Sequence, residues 1–475
     1  MDIVALLHCL QPHVTATTLR QCSRIAQAML VIPGRVTMLG LARWAGKGGS
    51  YRTVQRFFAQ ALPWAMLFWV FFRHHVYRAD DIYLLGGDEV VVTKAGTRTH
   101  GLDRFFASLY GKPVPGLAFF TLSLISTQAR RSFPVRVEQV IRSDAEKAAS
   151  KAKAAAKKAH SSMAKRRPGR PKGSKNKHKA DVTLTPELVR IKSMIEALLH
   201  LIAASLPLTY LVLDGHFGNH NALHIAQQCH LHLISKLRAD SALYWPYEGP
   251  YAGTGPRRKY GSKLDYRRMP AQSLKATTVE GHIQTRLYQA QLLHKEFAQP
   301  LNVVIIVKTN LRTQAQAHVV LFSSDLDLAY APLVDYYSLR FQIEFNFRDA
   351  KQYWGLEDFM NVTPTGVTNA ANLSLFMVNV SYRLRADVHP RDPDYSVLDL
   401  KADCRGYKYV EETIKMLPEK PEPVLFAKIL NQVTGLGRIH VSPPSFLMAL
   451  PHHDRPGSRP AWRSKAASHS VRWCS

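Results

Sequence analysis

The chain has 475 residues, 46% of them hydrophobic, enough to bury a large core shared among two or three domains. A formal net charge of +28 and a pI near 10.0 exceed what solubility requires and point to a polyanionic partner, nucleic acid ahead of a membrane. Five scattered cysteines without a CxxC pair argue against a zinc module or a disulfide framework. The opening "MDIVALLHCLQPH" lacks a basic n-region and cleavage site, so the expectation is an intracellular, nucleoid-associated protein of the cytoplasm with no membrane partner.

Residues 1–80 read as an all-helical N-terminal domain. "LPWAMLFWVFF" is too short for a bilayer and is expected as a buried helix. Ahead of it, "RVTMLGLARWAGKGGSYRTVQRFFAQ" has the pattern of a helix-turn-helix. A Gly-rich turn precedes a helix opening at Ser50 or Tyr51, with Arg52 and Arg56 outward for DNA. From Asp81 the character changes to strands, in "IYLLGGDEVVV", "GLAFFTLSLIS" and "FPVRVEQVI". A segment at 145–180 follows, first Lys/Ala-rich and then "RRPGRPKGSKNK", with no acid between Lys147 and Lys179.

Thr185 and Pro186 then open an amphipathic helix as N-cap and N1. The strand "LTYLVLDGH", a helix and the strand "LHLISKL" complete a β-β-β-α-β-α-β alternation. That order predicts an α/β fold, an RNase H-like mixed sheet with flanking helices. Residues 241–330 read as a β-rich insertion, and 386–475 as a helical region ending in a basic tail. Within "YYSLRFQIEFNFRDAK", read as one helix, Tyr337, Arg340, Glu344 and Lys351 fall on a single stripe.

Asp88 on the first strand, Asp214 ending the fourth and Glu344 on the stripe are the candidate catalytic acids. Clustered carboxylates repel unless cations lie between them, and their hard oxygens suit Mg²⁺ or Mn²⁺. Two such ions support in-line displacement at phosphorus. Glu89 neighbours Asp88, but alternation lets only one of them face the site. His100, His216 and His220 are read as loop or capping residues, not metal ligands.

The spacing Tyr337, Arg340, Glu344, Lys351, together with "GGDEVVVTKAG" and "LVLDGHFGN", resembles the DDE transposases of the insertion-sequence-4-like group. The resemblance covers about residues 80 to 385, and the family's β-rich insertion fits the gap between Asp214 and Glu344. It implies cut-and-paste transposition, in which metal-activated water nicks the transposon ends and the freed 3′-hydroxyl attacks target DNA. The implied partners are double-stranded transposon ends and target, with a homodimer in the DNA complex. Tyr337, Arg340 and Lys351 would hold DNA, and Tyr337 and Trp245 are candidates to stack a flipped base. Gly169, Arg170 and Pro171 resemble an AT-hook core, with Arg167 and Lys172 as flanking contacts. An RNase H-like nuclease without strand transfer, and a non-enzymatic DNA-binding protein, are the alternatives.

Overall fold

A computed structural model describes residues 3–107, 110–161, 182–251, 253 and 255–440. The AT-hook-like Arg167, Arg170 and Lys172 and the basic tail from 441 onward lie outside the described residues.

Five helices come first: α1 (Ile3–Leu7), α2 (Ala16–Val31), α3 (Met38–Trp44), α4 (Tyr51–Ala59) and α5 (Trp64–His75). The stretch read as a helix-turn-helix folds into α3 and α4, two short helices joined by a turn. Ser50 caps α4 by accepting the Thr53 N–H, and Gly46 and Gly48 turn the chain before it at φ 68° and 86°. Arg52 and Arg56 are exposed, one turn apart on α4.

The N-terminal region is not a separate all-helical domain, contrary to the expectation. A helix that is apolar all round must be covered on every side, and α5 is covered by the rest of the protein. Phe68 and Phe71 press on Phe376 at ring centroid distances of 5.4 and 5.1 Å. On its other side Phe72 meets Phe133 and Tyr83. Trp64 also donates its indole N–H to Asn369 Oδ1 at 2.7 Å.

Strands β1 (Tyr83–Thr93), β2 (Asp103–Ala107), β3 (Lys112–Ser126) and β4 (Arg131–Val140) form antiparallel pairs. The short edge strand β2 was not anticipated. Helices α6 (Asp144–Ser161) and α7 (Pro186–Ile202) lead to β5 (Tyr210–Val212), α8 (His220–Gln228) and β6 (His232–Leu237). Thr185 caps α7 as expected, with Pro186 in the first turn. Strand β5 runs parallel to both β1 and β6.

The predicted β-rich stretch holds β7 (Leu243–Pro246), β8 (Tyr260–Lys263), β9 (Leu274–Glu280), β10 (Ile283–His294), β11 (Leu301–Asn310) and β12 (Gln316–Ser323). These strands extend the main sheet through antiparallel pairing of β12 with β6, giving the order β2-β3-β1-β5-β6-β12-β11-β10-β7-β8. Strand β11 has a nearly unbroken apolar run and is buried along most of its length, which requires cover on both faces.

The "YYSLRFQIEFNFRDAK" stretch is two helices, α9 (Tyr330–Leu339) and α10 (Gln342–Tyr353), rather than the single one expected. Across the junction the backbone bonds shorten to i→i−3, from Arg340 N–H to Tyr337 O and from Glu344 N–H to Phe341 O. Helices α11 (Pro364–Ala386), α12 (Val397–Ile414) and α13 (Pro423–Gly435) follow. Lys401 ties α12 to α2 and α10 by donating to Met29 O at 2.6 Å and Tyr353 O at 3.3 Å. The sheet therefore carries one apolar core on each face: α2–α5 and α9–α12 supply most of one, α7 and α8 most of the other.

Candidate active site

The parallel register of β1 and β5 aligns two of the acids. Gly86 lies opposite Val212. Asp88 and Asp214 each follow two residues later, so alternation brings them to the same face at the same level. Asp214 stands just past the end of β5, where its carboxylate accepts the His216 N–H at 3.1 Å and its carbonyl accepts the Ser235 hydroxyl at 2.7 Å.

Helix α10 packs closely on that face at Gly86: a Cβ there would lie 2.8 Å from Ile343 Cδ1 and 2.7 Å from Ile125 Cδ1, so a side chain would force these two isoleucine ends to shift. Glu344 adjoins Ile343. We expect Gly86→Val to cost about 1–3 kcal/mol of stability through overpacking. It should lower DNA cleavage more than that loss explains, because Glu344 moves with the helix. Thermal unfolding and cleavage assays on the same preparation check this; unaltered cleavage would mean that the α10 seat does not set the site.

The guanidinium of Arg340 lies between two of the acids. Its Nη1 is 2.8 Å from Asp88 Oδ2 and its Nη2 is 3.1 Å from Glu344 Oε1, and the Arg340 side chain is only 14% exposed. Burial pushes the Asp88 carboxyl up to about 6, against the pull of Arg340 and the Glu89 N–H, while Asp214 and Glu344 push it further up. For Arg340, burial works against the charge, but Asp88, Tyr337, Glu344 and Asp214 together hold its pKa above the ordinary value. All five groups thus lie within electrostatic reach of one another.

Tyr337 is buried at 6% exposure, which leaves its ring no open face for a base. Burial raises its hydroxyl pKa, and the neighbouring Arg340 draws it back. Lys351 stands apart from the acids: its Nζ donates to Val91 O of β1 at 2.9 Å and pairs with Glu357 at 3.0 Å. Trp245 is half-buried on β7.

Rival acids are engaged elsewhere. Glu89 points to the opposite face of β1, where its charged neighbours include Glu187, Arg142 and Arg190. Asp81 accepts from Thr127 and Gln128, and Asp349 pairs with Arg348. The His216 ring lies 3.7 Å from Glu187, which raises its pKa.

Sequence reasoning missed Gly86, and it weighed Glu357 only as a weaker rival to Glu344 and not as the partner of Lys351. The doubled glycine before Asp88 was visible as a sign of close backbone approach. Nothing local marks Glu357 as the partner of Lys351.

Carboxylates from two neighbouring strands and the helix seated on them form the kind of donor set that binds hard divalent cations. Residues 9–299 match the family of DDE superfamily endonucleases, and the chain belongs to that family. Membership implies a nuclease acting on DNA, in a family that typically uses divalent metals. The matched region takes in α2–α5 and the strands from β1 to β10, and it ends before β11, β12 and Glu344, whose position beside Asp88 rests on the geometry above. No curated protein matches the chain. Among the described residues, no helix is long and apolar enough to cross a membrane.

Among the described residues, no three carboxylate, histidine or cysteine side chains are grouped closely enough to hold a metal ion as they stand. The donor set nevertheless fits in kind. Asp88 and Glu344 already share one cation, the guanidinium, whose buried Nε has no hydrogen-bond partner.

Proposed function

We propose that the protein is a DDE transposase that cuts transposon ends and joins them to target DNA, with Asp88, Asp214 and Glu344 as its catalytic carboxylates. The convergence of Asp88 and Glu344 on Arg340, with Asp214 aligned beside Asp88 and within electrostatic reach, carries the reading. Strands β4-β3-β1 antiparallel, followed by β5 and β6 parallel to β1, support an RNase H-like core. The spacing of Tyr337, Arg340, Glu344 and Lys351 supports membership of the insertion-sequence-4-like group.

Asp88, Asp214 and Glu344 would hold Mg²⁺ or Mn²⁺. When bound, the metal supplies Lewis-acid stabilisation of the charge that builds on the phosphate oxygens. Arg340 is placed to bind a phosphate next to the scissile bond, a role its planar fork suits better than a lysine would. Tyr337 backs Arg340 from the core. Lys351 fastens α10 to β1 through the Val91 carbonyl, so that Glu344 stays near Asp88. On α4, exposed Arg52 and Arg56 offer an end-recognition surface, and Arg167, Arg170 and Lys172 add affinity through backbone or minor-groove contacts.

Incubation with Mg²⁺ and labelled element ends tests the assignment. Joined products are expected. Cuts without joining would favour a plain nuclease, and binding alone a non-enzymatic DNA-binding protein. Deleting 165–179 removes eight Lys and Arg residues. Each DNA phosphate that is no longer neutralised should take about 0.9 from the slope of log K against log salt. An unchanged slope would retire this segment as a DNA-binding element.

A further inference from the structure

Arg340 has two sets of possible partners, and it cannot serve both at once. Its Nη1 and Nη2 span Asp88 and Glu344 at 2.8 and 3.1 Å. A guanidinium donates along these directions with no acceptor capacity, so the oxygens that receive it are directed at it. A divalent cation needs those same oxygens, and Asp88 Oδ2 and Glu344 Oε1, turned to the guanidinium, are not turned to a metal at the same time. The contact is sheltered on its Asp88 side: the Arg340 side chain is 14% exposed and that of Asp88 21%, whereas Glu344 is 43% exposed. The Arg340 Nε is buried and unpartnered, so the side chain is held by its two ion pairs and not by a full set of hydrogen bonds.

We propose that Arg340 is a built-in counter-ion of the acid cluster, which a divalent metal must displace before the site can work. The inference rests on the reading of Asp88, Asp214 and Glu344 as metal-holding acids. On leaving the acids, the guanidinium becomes available to a DNA phosphate. Metal loading and DNA holding are then two halves of one exchange: carboxylates pass from arginine to metal as arginine passes from carboxylates to phosphate. By linkage, a DNA end that captures Arg340 tightens metal binding, and metal tightens the grip on the end by the same factor.

The test is Mn²⁺ binding to the full chain without DNA, followed by electron paramagnetic resonance of the free ion. Arg340→Gln should bind Mn²⁺ about tenfold more tightly than the parent, the scale of one charge-assisted hydrogen bond no longer given up before the ion enters. Arg340→Lys keeps the charge but cannot span both acids, so its affinity should fall between the two. Arg348→Gln removes a neighbouring cation that pairs with Asp349, and it should leave the affinity unchanged. Equal affinity in the parent, Arg340→Gln and Arg340→Lys would overturn the counter-ion role while leaving the metal site standing. An equal rise in Arg340→Gln and Arg348→Gln would do the same, because it would reduce the effect to net charge. Failure of Asp88→Asn to weaken Mn²⁺ binding would overturn the metal site itself, and the exchange with it.

Discussion

Asp88→Ala, Asp214→Ala and Glu344→Ala are each expected to abolish cleavage of labelled ends while binding of the same duplex persists. Loss of a carboxylate that supports charge at phosphorus removes several kcal/mol of transition-state stabilisation. A loss of about 4 kcal/mol corresponds to a rate reduction of about a thousandfold. Groups that act as one unit are not additive, so a double substitution should be little worse than either single one. The adjacent acid supplies a stringent control. Glu89→Ala alters a side chain on the other face of β1, among Glu187, Arg142 and Arg190, and should leave cleavage near the parent level. Gel-shift and cleavage assays on matched preparations decide between these outcomes. Full activity in any of the three variants removes that acid from the site, and equal losses at Asp88 and Glu89 would mean that strand disruption, not chemistry, explains the effect.

The placement of the candidate acids was legible because each sits in a local pattern that survives folding. "LLGGDEVVV" and "YLVLD" are short apolar strands with an acid at a fixed offset. The parallel pairing of Gly86 with Val212 turns those offsets into a shared position. Glu344 was legible from its helical spacing to Tyr337 and Arg340. What escaped was whatever depends on distant packing. No proline or glycine announces the break between α9 and α10, which occurs where Arg340 turns towards Asp88. The cations on the stripe were read as free for substrate, yet Lys351 is committed to Val91 and Glu357 and Arg340 to the acids. The sequence pattern marked α5 as buried but did not name its cover, because Phe376 and Phe133 are far away along the chain.

That cover makes Phe376→Ala the substitution with the largest expected effect on stability. The ring is 1% exposed and lies 6.0, 5.4 and 5.1 Å from the rings of Trp64, Phe68 and Phe71. Truncating a buried phenylalanine costs about 3–5 kcal/mol, since the lost transfer energy adds to an unfilled cavity. The cost should not stay local. Helix α5 packs on Phe376 through one side and on Phe133 of β4 through the other, and β4 pairs with β3, the partner of β1. Amide hydrogen exchange should therefore show protection falling by similar amounts in α4, α5, β3 and β4. A drop confined to α5, with β3 and β4 unaltered, would mean that the N-terminal helices open independently, and the view of one cooperative unit would fail. The same coupling bears on function. If α4 is fixed to the sheet that carries Asp88, a DNA end held by Arg52 and Arg56 is placed relative to the acids by the core itself. Loosening that core at Phe376 should then scatter the positions of cutting before it weakens DNA binding.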